Sequence, residues 1–300
     1  IFIEKTPDYE GKDVKICGWV HSRRNHGKII FIDLRDRTGI LQVVFVPSNS
    51  EAYKIAGSLR SEWVVAIEGK INKRPKGMEN PAIKTGLVEM SAEKLEVLNP
   101  SETPPFLPDT NGYEDNEENR LKYLYIDLRR TRLAGNIQLR HKLIKHIRDY
   151  LDSKGFFEIE TPILTKSTPE GARDYVVPSR LRSGQFYALP QSPQQYKQLL
   201  MASGFEKYFQ FARCFRDEDT RGDRQPEFTQ MDLEMSFVKR EDVMELNEAM
   251  FIDLIKKCYP RKKIQKVPFP RITYQEATDK YKTDRPDLRE DKNDPDLLAL

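Results

Sequence analysis

Apolar and polar positions follow two periods along this chain of 300 residues. Over the first hundred, the apolar positions gather in short runs rich in β-branched residues: Val14–His21, Ile29–Leu34, Ile40–Val46, Val64–Ile71 and Val88–Leu98. Such runs read as strands. Asp36-Arg37-Thr38-Gly39 reads as a tight hairpin turn between the second and third. Between the third and fourth, Ala52, Ile55, Ala56 and Leu59 share one helical face within Glu51–Arg60. Five strands with one helix at that place match the order of an OB barrel, a fold that often binds single-stranded nucleic acid. The expectation is therefore an all-β OB barrel over residues 1–100.

The pattern then breaks. Asn99–Asn119 carries Pro100, Pro104, Pro105 and Pro108, followed by Glu114-Asp115-Asn116-Glu117-Glu118. That is the composition of a linker, with the acidic run read as a solvated helix start. The basic residues of Arg120–Arg132 read as a charged hinge, with RNA contact as the alternative, so residues 101–133 form the expected linker and hinge. From Ile137 the period becomes helical, through Ile144, Ile147 and Leu151 with Leu143 on the flank, and Gly155 ends the helix. Phe156–Leu164 reads as a short strand interrupted by Pro162, which cannot donate to a ladder and so belongs at an edge or an interface. A polar loop, Thr165–Asp174, is followed by strands around Tyr175–Val177 and Phe186–Leu189 and a helix over Gln195–Ser203. Arg240–Lys257 is an amphipathic helix, and Arg261–Leu300 is charged with scattered prolines and no readable site.

Tyr208–Phe237 is the stretch around which the second half is organised. Phe209, Phe211, Cys214 and Phe215 give way abruptly to Arg216-Asp217-Glu218-Asp219. A charged loop containing Gly222 follows, and then Phe228, Met231, Leu233, Met235 and Phe237 resume a period near two. This reads as strand, charged loop and returning strand. Charges at the ends of two apolar strands are costly to bury without a partner. An arginine held there is a planar, permanently charged fork suited to phosphate and carboxylate.

Composition narrows the picture. The charged fraction is 32% but the net charge is only +3, so nucleic-acid binding has to come from a local patch. Cys17, Cys214 and Cys258 are widely separated, which speaks against a zinc site or a disulfide framework and fits reduced thiols in the cytoplasm. No apolar run is long enough for a membrane span, and no signal peptide opens the chain. The chain opens without methionine and closes on Leu297-Leu298-Ala299-Leu300, the look of a piece cut inside an element. In the barrel, His21, Arg23, Arg24, His26 and Lys28 fall at the expected turn between the first two strands, with Phe31 and Gln42 on the strands beyond. Cations for phosphates, an aromatic for stacking and an amide for a base edge make an RNA platform. A solvated basic loop, a core Phe and a surface Gln are the plain alternative.

Over nearly its whole length the chain resembles the bacterial-type aspartyl-tRNA synthetases, class II enzymes that join aspartate to tRNA. The long helix with Gly155–Leu164 and Pro162 is similar to class II motif 1, the dimer-forming element. Ser167-Thr168-Pro169-Glu170-Gly171-Ala172-Arg173-Asp174-Tyr175 resembles the family's flipping loop, which closes over aspartate. Gln191-Ser192-Pro193-Gln194-Gln195-Tyr196-Lys197-Gln198 is similar to its amino-acid signature, and Phe215-Arg216-Asp217-Glu218 through Phe228 to motif 2. These blocks in this order are far more specific than any one of them.

The resemblance implies a catalytic domain over residues 134–300, an antiparallel sheet with flanking helices, holding motifs 1 and 2 only. It implies that Glu170, Ser192, Gln194 and Asp232 hold the substrate ammonium, that Gln195 and Tyr196 belong to the same aspartate site, and that Lys197 pairs with the side-chain carboxylate. Arg216 would bridge the reacting carboxylate and the α-phosphate of ATP, where charge develops. Asp217, Glu218 and Gln225 would contact ATP, and Phe228 would stack on adenine. Mg²⁺ would arrive with the ATP phosphates, with no metal ligand set of its own in this chain. Arg24, Phe31 and Gln42 take the anticodon-contact positions, and His26 with Gly77 resembles the subtype that charges both tRNA(Asp) and tRNA(Asn). A homodimer is implied too. Motif 3 and the later acidic metal ligand are absent, so the 300-residue piece is expected not to complete aminoacylation by itself. Glu290–Leu300 does not resemble the start of the family's inserted domain and is expected to lead on into the catalytic sheet. The competing readings are an asparaginyl- or lysyl-type synthetase and a non-catalytic RNA-binding paralogue.

Overall fold

Alternation of side chains closes the first unit. In a computed structural model that describes residues 1–299, with the side chain of Ser50 excepted, the chain divides into units over Ile1–Ile137 and Gln138–Leu300. β1 (Asp13–His26), β2 (Ile29–Arg35) and β3 (Ile40–Phe45) run as antiparallel neighbours. α1 (Ser50–Ser58) precedes β4 (Val64–Lys73) and β5 (Val88–Asn99), and the five strands close as β1-β2-β3-β5-β4, the expected OB barrel. Every second residue points inward. Ile16, Ile32, Leu34, Leu41, Val43, Ile67 and Ile71 are fully buried, and Ala52 and Ala56 of α1, with Leu59 just after it, pack on the same core. Each such branched side chain contributes ~1.5–3 kcal/mol of burial. Gly18 is required where β1 meets β2, because a Cβ there would lie 2.6 Å from the Arg35 carbonyl oxygen.

Three sequence expectations change in this unit. The basic residues His21, Arg23, Arg24 and His26 are on β1, not in a loop. The ladder to β2 runs on to His26↔Ile29, leaving only Gly27 (φ +60°) and Lys28 to turn. The first strand is accordingly longer than Val14–His21. The expected linker is folded too. Phe106 is buried, and α2 (Glu117–Lys122) starts at Asn116, whose side chain accepts from the N–H of Glu118 at 2.8 Å, so the acidic run is indeed a helix start. α3 (Leu124–Asp127) leads to Arg130, which is fully buried beneath this segment. The Arg130 guanidinium donates to Asp127 at 2.7 Å and to the Thr110 carbonyl at 2.9 Å, pairs with Asp115, and lies over the Phe106 ring. What reads as a charged hinge thus holds a satisfied buried network; burying an Arg there without those acceptors would be prohibitive.

A second such network sits on the barrel. Glu62, 3% exposed and with φ +67°, accepts from both terminal nitrogens of Arg35 at 2.9 and 2.7 Å and also pairs with Arg129. Burial alone would raise this carboxyl, but the two arginines outweigh it and hold Glu62 below the ordinary glutamate range. His21, near Arg35 at 3.0 Å, is pushed below its usual value by burial and by that guanidinium.

The second unit is built on α4 (Thr131–Ser153), which crosses the unit boundary and ends at Gly155 (φ +79°). β6 (Phe157–Glu158) is only two residues long, so Pro162 lies outside any strand and is exposed, contrary to the strand expected over Phe156–Leu164. β7 (Val176–Pro178) and β8 (Phe186–Ala188) form a hairpin, followed by α5 (Gln194–Ala202). β9 (Lys207–Phe215) and β10 (Glu227–Met235) pair antiparallel from Phe215↔Glu227 to Lys207↔Met235, and β6 adds parallel to β9. Leu151, Phe156, Phe209 and, from α6 (Arg240–Cys258), Met250 form the core beside this sheet. β11 (Lys263–Ile264), α7 (Tyr274–Tyr281) and β12 (Leu297–Leu298) complete the described chain. β12 pairs with β11 rather than joining β9 and β10, so the segment from Glu290 does not extend the main sheet as expected. No helix among the described residues is long and apolar enough to cross a membrane.

Candidate active site and nucleic-acid face

The β9–β10 hairpin positions the site. Its strands alternate, so Phe228, Gln230, Asp232 and Glu234 of β10 project to one side. Lys197, in the first turn of α5, meets that row. Its ammonium donates to Asp232 Oδ1 at 2.9 Å and lies 2.8 Å from Glu234 Oε1. Burial would lower Lys197, but hydrogen bonds to Glu234 and Asp232 outweigh it and raise the pKa, so it is a firm cation. Asp232 moves upward, driven first by its own burial and further by Glu234, with Lys197 pulling back. One ammonium is thus shared by two carboxylates. Among the described residues no donor reaches the buried Oδ2 of Asp232.

The polar loop 165–174 supplies the next group. Ser192 donates to Glu170 Oε2 at 2.6 Å, and Tyr196 shares a 2.8 Å hydrogen bond with Thr165 at the start of that loop. Gln194 and Gln195 stand exposed at the first turn of α5. Cys214 is buried on β9, and its thiol is pushed up to about 11, first by burial, with Arg216 opposing and Asp232 and Glu170 adding. Those three charged groups therefore all act electrostatically on one point of the sheet.

Beyond it, the Arg216 guanidinium lies over the Phe228 ring, 5.1 Å from its centroid, and is not turned out into solvent. Together with Glu218, Gln225 and Arg224 these two residues line a cleft of about 510 Å³. A neighbouring cavity of about 370 Å³ is lined by Gly171, Arg173, Asp217, Glu218, Arg221 and Arg224. Asp217 is tied to Arg173 through backbone: its N–H donates to the Arg173 carbonyl at 3.0 Å. The structure thus brings together Glu170 with Ser192, Lys197 with Asp232, and Arg216 with Phe228. It adds residues passed over in the sequence: Glu234, Gln191, Arg173 and Arg224. Glu234 was findable, because it is two positions from Asp232 on the same strand face.

On the barrel, β1 and β2 place Arg24 directly opposite Phe31. Arg24 pairs with Asp33 at 2.9 Å, and Asp33 is opposite Gln42 on β3. The Gln42 amide donates to Glu89 of β5 at 2.7 Å, another residue the sequence did not single out. Phe31 is half-buried, not sealed in the core. His26 ends β1, and Gly77 has φ +86°, a backbone that favours glycine.

A closed OB barrel followed by this hairpin and its paired charges defines a nucleic-acid-binding module joined to a class II synthetase core, and the comparisons agree. Residues 14–98 match the OB-fold nucleic acid binding domain, and residues 116–294 match the tRNA synthetases class II (D, K and N). The chain belongs to that synthetase family. Among curated relatives, it is 56% identical over 280 residues to an aspartate–tRNA(Asp/Asn) ligase of Syntrophomonas wolfei, covering 93% of this chain and 47% of the relative. It is 57% identical over 284 residues to a protein of the same name from Thermodesulfovibrio yellowstonii, with 93% and 47% covered. The chain therefore spans about half the length of the curated relatives it matches. Among solved structures, asparaginyl-tRNA synthetase from Pyrococcus horikoshii complexed with asparaginyl-adenylate aligns with a TM-score of 0.79 at 26% identity, over 93% of this chain and 66% of that one.

Proposed function

We propose that this chain carries the anticodon-binding part and the motif 1–motif 2 part of an enzyme that activates L-aspartate with ATP and transfers it to tRNA. The observation that carries this reading is the Lys197–Asp232–Glu234 group. The buried Lys197 ammonium, held in place by Asp232 and Glu234, is the cation this group offers to a substrate carboxylate. The buried, donor-free Oδ2 of Asp232 suits an ammonium, with Glu170 and Ser192 as further acceptors. An amino acid with one ammonium and a side-chain carboxylate matches both. Gln194, Gln195 and Tyr196 complete the aspartate site on this reading.

Arg216 would stabilise charge as the aspartate α-carboxylate attacks the α-phosphorus of ATP and pyrophosphate leaves. The terminal ribose hydroxyl of tRNA would then attack the acyl carbon and release AMP. Catalysis is positioning and charge stabilisation, with no covalent intermediate on the protein. Phe228 would stack on adenine, and Asp217, Glu218 and Gln225 would line the nucleotide. Among the described residues no three acidic, His or Cys side chains converge as a metal cage. On this reading magnesium would arrive on the phosphates, supplying charge neutralisation there.

The barrel face with Arg24, Phe31 and Gln42 would hold the anticodon. The name shared by the curated relatives, together with His26 and Gly77, supports tRNA(Asn) as a second acceptor. On this reading the exposed Pro162 would meet a second copy in a homodimer, and the cytoplasm is the expected location. The test is aspartate-dependent ATP–pyrophosphate exchange with the full-length protein, followed by charging of both tRNAs. Exchange with asparagine or lysine in place of aspartate would overturn the reading, and clean rejection of tRNA(Asn) would restrict it to tRNA(Asp).

A further inference from the structure

Gln191 opens the amino-acid signature and is given no role in the reading above, yet it is among the few polar side chains buried in the second unit, at 1% exposure. Every hydrogen-bonding atom of its amide is engaged. Oε1 accepts from the Ala172 N–H at 3.1 Å, and Nε2 donates to the Ala172 carbonyl at 2.9 Å. The second hydrogen of Nε2 goes to Asp174 Oδ1. The side chain pairs with Ala172 from both sides, as a neighbouring strand would. Asp174 in turn accepts from Ser167 through its other oxygen, so the two ends of the loop are drawn together.

We propose that Gln191 is a positioning residue for the amino acid: its amide clamps the base of loop 165–174 and so sets where Glu170 stands. The argument rests on reading Glu170 as an amino-acid ligand. Only Gly171 separates Glu170 from the clamped Ala172, and Gly171 has φ +94°. Glycine leaves that joint soft, so without a fixed Ala172 the Glu170 carboxylate has no defined place. On the other side, Ser192 follows Gln191 directly and donates to Glu170 at 2.6 Å. Two consecutive residues therefore hold the loop, one through its backbone and one through its acid. Arg173, next in line, is bonded to Asp217 at the start of the charged loop, with its Nε donating to the Asp217 carbonyl at 3.2 Å. The clamp thus also fixes the loop against the segment that leads to Arg216.

Gln191→Ala removes the clamp, and Gln191→Glu keeps its size but removes its donors. In the full-length protein both variants should raise KM for L-aspartate about 10-fold or more, because a ligand displaced by an ångström loses much of its effect. KM for ATP should change less, which separates a displaced Glu170 from general loss of structure. Amide exchange at Ala172, read by NMR or mass spectrometry without substrate, should quicken in both variants by more than any fall in melting temperature brings to protected amides elsewhere in the unit. Unchanged KM for aspartate, or unchanged protection of Ala172, overturns the proposal. Should the Gln191 variants fail to fold, Asp174→Ala makes the same measurements at the partly exposed end of the clamp. If the wild-type protein does not activate aspartate, the function proposed above fails, and exchange at Ala172 still decides whether the clamp exists.

Discussion

The two units solve the problem of presenting polar chemistry in different ways. The barrel gathers twenty buried apolar residues into one cluster and displays its candidate RNA contacts on the outer faces of strands whose inner faces fill that core. Position there follows from packing. Among the described residues of the second unit the comparable cluster holds four, and its candidate groups are held chiefly by one another: Lys197 by Asp232 and Glu234, Glu170 by Ser192, Arg216 against Phe228. Position there follows from satisfied charge. Core mutations should therefore act on the barrel's stability, and single polar changes should act on the second unit's chemistry.

The sharpest way to break that contrast is a cavity in the barrel. Leu34 is fully buried, so Leu34→Ala should cost about 2–5 kcal/mol of barrel stability. Chemical denaturation of the full-length protein should show the loss, while aspartate-dependent pyrophosphate exchange below the new transition stays near wild type. Comparable loss in exchange would mean that the barrel's packing governs the chemistry as well. The converse change is Arg216→Ala. Adenylate formation should fall by about 10²-fold or more, as when a donor aimed at developing charge is removed. Single-turnover kinetics measures it, and the barrel transition should not move.

The same contrast governs what could be read without a structure. The five barrel strands and the helix after the third were legible because one face of each is apolar and the period is two. The limits of β1 were not, since a ladder continues through Arg23, Arg24 and His26 whatever their charge. Asn99–Arg132 read as linker and charged hinge for a related reason: composition does not show that Arg130 is buried, and only its partners at Thr110, Asp115 and Asp127 make that burial possible. In the second unit, the order of motifs located Arg216, Glu170 and Lys197. It did not show that Lys197 is already engaged by two carboxylates, because Glu234 carries no signal except its place on Asp232's side of the strand.

A smaller effect sharpens the barrel side. Phe31 is half-buried opposite Arg24, and a stacked base is worth ~1–3 kcal/mol. Phe31→Ala should raise KM for tRNA accordingly and leave pyrophosphate exchange, which needs no tRNA, unchanged. Equal effects on both reactions would mean that Phe31 acts through the fold and not through the nucleic acid.

The subtlest test compares one carboxylate from each unit. Glu62 faces two arginines, so its folded pKa lies below the ordinary 4.5 despite burial. A depressed acid contributes stability that is fully present above its unfolded value and is lost as pH falls through the folded value. Asp232 shares one lysine with Glu234, and burial carries its folded pKa above the ordinary 3.8. There the folded state binds the proton more tightly, so stability falls as pH rises from the unfolded value to the folded one. The advantage of wild type over Glu62→Gln should therefore shrink on acidification, while its advantage over Asp232→Asn should grow. Melting curves through the acid range, with carboxyl-carbon NMR titration of both side chains, read the two slopes. Slopes of the same sign would mean that the two sites are not electrostatic opposites, and that Lys197 suffices to hold Asp232 ionised.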